Sequence, residues 1–105
     1  MITEADVERA IEWMISNADK AAVARAQREH CEQWRKTLKA QLMQEHVTLP
    51  LAAQEREAYA DPRYVAHLDA LRTAVEQDER MRWLMTAAET RVSAWQTQQR
   101  GLRAA

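Results

Sequence analysis

The chain has 105 residues, enough for one domain and no more, and 30% of them are charged although the formal net charge is only −1. This balance argues against a protein that binds polyanions through its bulk charge, and against an acidic disordered tail. A single Gly, two Pro and no Phe leave few turns and little β-forming material. Residues 1–105 are therefore predicted to form one all-α domain.

Cys31 is the only cysteine, which excludes an internal disulfide and is typical of a reducing compartment. No apolar run approaches the roughly 18 residues that a membrane span needs. The acidic segment MITEADVERA at the N-terminus is unlike a signal peptide. We expect a cytoplasmic protein that is complete from Met1 and makes no contact with a membrane.

Three helices are predicted, in the order long, short, long. Thr3 can cap the first helix, and Asp6 can reach back to it as the acid of a capping box. No Gly or Pro follows until Pro50. The first helix is therefore predicted over residues 3–46.

The second and third helices each have a capping residue and a proline close to their predicted start. Thr48 is predicted to cap the second helix, which covers residues 49–60. Asp61 is predicted to cap the third helix, which covers residues 62–99. That helix is expected to end there because Gly101 favours a helix C-terminus.

Apolar side chains recur every three or four residues along both long helices, which indicates one buried stripe on each. On the first helix the predicted stripe comprises Val7, Ile11, Met14 or Ile15, Ala18, Ala22, Val23, Gln27, Cys31, Trp34, Leu38 and Leu42. On the third helix it comprises Tyr64, Leu68, Leu71, Val75, Met81, Leu84, Ala88, Val92 and Trp95. Four Trp and five Met are too much apolar surface for one seam between two helices. We expect a helical hairpin or coiled-coil-like bundle that homo-oligomerisation completes.

Motifs for catalysis or for cofactor binding are not found. The sequence has no HxxxH, CxxC or ExxH pattern that would indicate a metal site, and phosphate-binding loops need more glycine than Gly101 alone. Arg28 and Arg35 lie one turn from Cys31, as basic neighbours of a nucleophilic cysteine would, but the place of Cys31 on the apolar stripe favours a small buried core residue. We expect no catalytic residue, no metal and no cofactor, and therefore not an enzyme.

Charge alternates in four blocks: residues 1–19 and 43–79 are acidic, and residues 20–42 and 80–105 are basic. Five cations of the first basic block fall within about a 100° arc of the helix. These five, with two near the C-terminus, are predicted to contact a phosphate backbone, and they are Arg25, Arg28, Arg35, Lys36, Lys39, Arg100 and Arg103. The alternative is a solvated face whose charges pair with the acidic blocks of a neighbouring helix.

The stretch QEREAYADPRY surrounds the break between the second and third helices. It gathers two arginines and two tyrosines close to the Asp61-Pro62 turn, namely Arg56, Tyr59, Arg63 and Tyr64. One interpretation is that the tyrosines pack the second helix onto the long helices and bond their hydroxyls at the surface. The other is that the four side chains contact a partner.

Two stretches, QEREAYADPRYVAHLDALRTAVEQDE and AAETRVSAWQTQQRGLR, together resemble a widespread group of small phage proteins. The matching positions are Arg56, Tyr59, Tyr64, Ala88-Glu89, Trp95 and Arg100. Proteins of this group are commonly encoded beside phage single-strand annealing and recombination genes. Their arrangement is similar to that of the recombination mediator of T4-like phages, a helical oligomer that binds single-stranded DNA.

The resemblance implies a phage recombination accessory protein in the cytoplasm of the host cell. Such a protein would act on single-stranded DNA, or on the phage proteins that bind and anneal it. Two alternatives remain open. One is an inhibitor of a host nuclease or defence complex that acts through the acidic middle of the chain, and the other is a structural helical adaptor.

Overall fold

The computed structural model describes residues 1–104, which form three α-helices. These are α1 (Glu4–Gln44), α2 (Leu51–Ala60) and α3 (Pro62–Ala104). No strand occurs among these residues, so the predicted all-α, long–short–long order is confirmed. The observed bounds differ from the predicted ones by up to five residues, and the differences have local causes.

The chain divides into two compact units. The terminal unit combines Met1–Val23 with the described part of α3 from Glu79, and the elbow unit comprises Ala24–Asp78. In the terminal unit the backbone N and O of Ile2 both bond to the Gln98 amide, at 3.1 and 2.9 Å. Each unit thus pairs a segment of α1 with an antiparallel segment of α3, as in a helical hairpin. Because both helices pass through the two units, the single domain predicted for residues 1–105 stays a prediction.

The start of α1 is the predicted capping box. The Thr3 amide donates to Asp6 Oδ2 at 2.9 Å, and the Asp6 amide donates to Thr3 Oγ1 at 3.1 Å. These bonds to Thr3 lower the pKa of Asp6, with a smaller contribution from Arg9. The predicted cap is confirmed because it depends only on residues three apart.

Thr48 does not cap α2, so that prediction is wrong. The residue at the N-cap position is Pro50, with φ −57° and ψ 153°, and no side chain bonds there. Its carbonyl accepts hydrogen bonds from the amides of Ala53 and Gln54 at 2.9 and 3.0 Å. The Gln54 side chain also donates to the Leu49 carbonyl at 2.9 Å. Thr48 lies two residues before this cap position, too far to take the role.

Asp61 separates α2 from α3 as predicted. Its backbone is extended, with φ −65° and ψ 132°, because a residue before proline avoids the helical region. Asp61 Oδ1 accepts the Arg63 amide at 2.8 Å, and Pro62 is the first residue of α3. The side chain therefore caps the third helix directly after the second one ends.

Gly101 does not end α3, which continues to Ala104 and therefore past the predicted end at residue 99. A glycine ends a helix when it adopts a positive φ, and no described glycine has one. Leu102, Arg103 and Ala104 are good helix formers, so nothing after Gly101 favours a stop.

The seam between α1 and α3 follows steps of three and four residues, the spacing of a coiled coil, except for a step of seven residues from Cys31 to Leu38 on α1. On α1 the buried or half-buried seam residues are Val7, Ala10, Met14, Asn17, Ala21, Ala24, Arg28, Cys31, Leu38 and Leu42. On α3 they are Tyr64, His67, Leu71, Ala74, Asp78, Met81, Met85, Ala88, Val92 and Trp95. In the elbow unit, Leu42, Ala58 and Tyr64 form a buried cluster against which Leu38 and Met43 pack.

The predicted stripes coincide with this seam only in part. Several large apolar residues assigned to them are exposed, namely Ile11, Ile15, Val23, Trp34, Leu68 and Leu84. The prediction followed the largest apolar side chains, whereas the seam keeps its spacing by accepting alanine and polar residues such as Arg28 and Asp78. The displaced side chains leave apolar surface on the outside of the helices.

Candidate functional site

Three of the five cations in the predicted basic stripe lie beside carboxylates. Arg25 pairs with Glu29 at 3.3 Å, and Lys39 Nζ lies 3.3 Å from Glu55 Oε1. Arg28 makes the third set of pairs, described below. In each case the partner lies on the same helix or on a packed neighbour, as the solvated-face interpretation expects.

Arg28 is part of the seam rather than of an open surface. Its guanidinium lies 3.1 Å from Glu32 and 3.2 Å from Asp78 on α3. Asp78 is only 8% exposed. Removing the cation would leave a buried carboxylate without this partner, which is costly. Arg28 is therefore positioned to hold the two long helices together within the elbow unit.

Arg35 and Lys36 remain the open part of the stripe. Both side chains are exposed. Among the carboxylates of residues 1–104, none is within ion-pair distance of either. Two adjacent cations make a small contact for a phosphate backbone, and within the described chain no aromatic side chain stacks with either of them.

Lys39 belongs to the elbow instead. Its ammonium group lies 4.7 Å from the centre of the Tyr59 ring, a cation–π distance. The Tyr59 side chain, and to a smaller extent Glu55, raise the pKa of Lys39. Tyr59 meets Tyr64 edge to face, with ring centres 5.3 Å apart.

The four elbow residues singled out from the sequence have different surroundings. Tyr64 is buried, and Arg63 bridges Asp61 at 2.9 Å and Glu45 at 2.7 Å. Arg63 lowers the pKa of Asp61 to about 2, and the two carboxylates raise the pKa of Arg63. Tyr59 is 47% exposed, and Arg56 is exposed as well. Packing accounts for Tyr64 and ion pairs account for Arg63. Arg56 and the exposed part of Tyr59 remain accessible to a partner.

Arg100 and Arg103 line a surface groove of about 290 Å³ on the last turns of α3. The same groove is lined by Trp95, Gln96 and Gln99, so an indole, two amides and two guanidiniums share one stretch of helix. Neither arginine has a carboxylate partner in the part of the chain that the structure describes. We call these five residues the C-terminal groove.

The C-terminal groove has the chemistry of a single-strand contact. An indole can stack on an unpaired base, guanidiniums pair with phosphates, and amides bond to base edges. Trp95 was predicted in the buried stripe and is half-buried in the seam, whereas neither Gln96 nor Gln99 was predicted as a site residue. The signal was present in the spacing, because residues 95, 96, 99, 100 and 103 recur at helical intervals.

A second groove, of about 360 Å³, lies between α1 and α3 in the terminal unit. It is lined by Arg9, Ala10 and Trp13 of α1 and by Leu84, Ala87, Ala88 and Arg91 of α3. Arg9 forms an ion pair with Asp6. Arg91 has no ion-pair partner among residues 1–104.

We also searched the described residues for a metal site, a reactive cysteine and a membrane-spanning helix. No group of three or more His, Cys, Asp or Glu side chains in residues 1–104 is placed to hold a metal ion. Cys31 is buried, and its carbonyl lies 2.7 Å from His67 Nε2. None of the described helices is both long enough and apolar enough to cross a membrane.

Comparison of the chain with protein-family models, curated proteins and solved structures gives no match. The resemblance to phage recombination proteins therefore stays a prediction that rests on the positions named for it.

Proposed function

We propose that this protein is a phage recombination accessory factor of the host cytoplasm, which binds single-stranded DNA or the phage proteins that coat and anneal it. The observation that carries the proposal is the C-terminal groove, where Trp95 lies beside Arg100 and Arg103. Both arginines and Trp95 lie in the stretch that resembles the phage proteins.

The composition of the groove favours a single strand over a duplex. Stacking on Trp95 needs a base whose face is free, which a paired and stacked base does not offer. The net charge of −1 gives no general attraction to nucleic acid. Binding must therefore come from this local cluster, with Arg35 and Lys36 as a second contact.

Self-association is part of the proposal. One groove with two arginines supplies few phosphate contacts, so a monomer would bind weakly at physiological salt. Copies joined in a homo-oligomer would place several grooves along one strand and raise its affinity by avidity.

The test is binding of a labelled oligothymidylate over a range of salt concentrations. Affinity of the native protein is expected to fall steeply with salt, because counterions are released from the strand. Arg100→Glu/Arg103→Glu should weaken binding at least about tenfold and flatten the salt dependence. Trp95→Leu, which keeps an apolar side chain in the seam, should weaken binding while leaving the salt slope unchanged.

Lys20→Glu/Arg72→Glu is the matched control, since it changes the net charge equally at two exposed positions outside the groove. Equal loss in the control would mean that bulk charge, not the groove, attracts the strand. Arg35→Glu/Lys36→Glu tests the second contact without touching the Arg28–Asp78 pair. If the native protein does not bind the oligonucleotide at low salt, the proposal of direct DNA contact is wrong. The other form of the proposal, binding to the proteins that coat the strand, is then tested with a strand coated with its single-strand-binding protein.

A further inference from the structure

Two exposed faces of the terminal unit carry opposite charge at the same helical spacing. On α1, the acidic face consists of Glu8, Ile11, Glu12, Ile15 and Asp19. On α3, the basic face consists of Arg80, Trp83, Leu84, Ala87 and Arg91. In both, the second to fifth members follow the first by three, four, seven and eleven residues, so each set lies on one side of its helix.

Both faces have exposed apolar residues between charged ends, and the acidic face also carries Glu12 there. Ile15 is 73% exposed, and Trp83 is 69% exposed. The acidic face begins and ends with Glu8 and Asp19, and the basic face begins and ends with Arg80 and Arg91. Each spans eleven rises of the helix, roughly 17 Å. The two faces therefore have the same length and opposite charge, and both carry apolar residues three and seven positions after the first.

The two faces do not meet within one chain. All ten side chains are exposed, and none of their charged groups forms an ion pair within residues 1–104. Each face thus lacks its complement in its own molecule. An identical molecule carries both complements.

The surface area of the chain supports a second copy as the occupant. A folded monomer of 12.2 kDa is expected to expose about 6,100 Å², whereas this chain exposes 7805 Å². The excess is about 1,700 Å². A stable interface removes roughly 800 Å² from each partner, so the exposed surface is large enough for a contact of that size.

We propose that copies of this protein associate by packing the acidic face of one copy on the basic face of another. Ile11 and Ile15 would lie against Trp83, Leu84 and Ala87, and the carboxylates at the ends would pair with Arg80 and Arg91. Apolar burial at the centre supplies the affinity, and the charged ends fix the partner and the register. This assignment rests on the self-association proposed above and is independent of the DNA contact.

Charge reversal with mixing is the sharpest test, read as molar mass by sedimentation at micromolar concentration. Glu8→Arg/Asp19→Arg makes both faces basic, and Arg80→Glu/Arg91→Glu makes both acidic. Each variant alone is expected to sediment as a 12.2 kDa monomer, because like charges then oppose each other. An equimolar mixture should recover the mass of the native assembly, which damage to either fold could not produce.

A second pair of variants tests the apolar centre without changing charge. Ile15→Asn is expected to reduce assembly, whereas Val47→Asn, at a residue 68% exposed in the elbow unit, should leave it unchanged. If a charge variant loses its helical circular dichroism, and so its fold, the comparison of Ile15→Asn with Val47→Asn tests the proposed interface instead. A native protein that is monomeric would overturn self-association itself. Native-like mass in Ile15→Asn or in both charge variants would overturn only the assignment to these faces.

Discussion

Asp61 controls the geometry of the elbow with a single side chain. Its extended backbone ends α2, and its carboxylate accepts the Arg63 amide at the start of α3. The same carboxylate pairs with the Arg63 guanidinium, which also reaches Glu45 beyond the end of α1. One anionic group thus links the ends of all three helices, so its ionisation should affect the stability of the whole elbow unit.

The pKa of Asp61 predicts how the stability of the protein responds to acid. In the folded chain the pKa is about 2, below the ordinary value of 3.8. The ionised form is therefore favoured by folding, and its contribution is fully present above about pH 4 and lost as the pH falls towards 2. Asp61→Asn should lower the melting temperature at neutral pH, and the difference from the native protein should shrink through this window. The measurement is thermal unfolding at a series of pH values.

Asp69→Asn is the control for this experiment, because Asp69 is exposed and its carboxylate forms no hydrogen bond among residues 1–104. It should leave the melting temperature nearly unchanged. A difference between Asp61→Asn and the native protein that stays constant down to pH 2 would show that the ionisation of Asp61 is not the source of the stability, since asparagine keeps the acceptor of the cap.

Local pairs such as Thr3 with Asp6, and Asp61 with the helix it caps, can be predicted from sequence because their partners lie within three residues. The role of Arg28 cannot be predicted in this way. Its partner Asp78 is fifty residues away, and only the register of α3 against α1 brings them together. Because of this register, Arg28 lies in the seam and not on the open basic stripe that the sequence had predicted.

At the scale of the helices, the seam shows why the number and order of helices could be predicted while the buried face could not. Gly and Pro are rare, so helix breaks stand out in the sequence. The buried face, by contrast, is filled by residues such as Ala10, Ala21 and Ala24, which give a weak apolar signal. More hydrophobic residues such as Ile11 and Ile15 lie one position after a seam residue. The predicted stripe therefore included these exposed side chains of α1.

The end of α3 gives a prediction about a single residue in a helix. A Cβ added at Gly101 would meet no atom within 4 Å, and the residue has no positive φ. Gly101→Ala should therefore raise the helix content, and stabilise the protein by at most about 1 kcal/mol, by reducing the entropy that folding must remove. The measurement is circular dichroism during thermal unfolding. If Gly101 ended the helix in the left-handed conformation, Gly101→Ala would destabilise the protein instead, since alanine is strained in that conformation.

At the scale of the whole molecule, a thin seam is combined with extensive exposed surface. Few side chains of residues 1–104 are fully buried, and Leu42, at 2% exposed, is the one large side chain among them. The need for additional burial was predictable from the count of Trp and Met. The two faces that would provide it could not be predicted, because both contain residues that the sequence alone assigned to the inside.

If association supplies part of the stability, the melting temperature must depend on protein concentration. A hundredfold excess over the dissociation constant adds about 2.7 kcal/mol to a folded species that binds its own kind. For a chain of this length that corresponds to a rise in melting temperature on the order of 10 °C. We expect such a rise for the native protein between low and high micromolar concentration, measured by circular dichroism in cells of different path length.

The variant Glu8→Arg/Asp19→Arg is the control for this experiment. It should melt at the same temperature at every protein concentration, because its copies no longer associate. Equal concentration dependence in both proteins would place the contact on another surface, and a native melting temperature independent of concentration would mean that the paired segments of α1 and α3 are stable on their own.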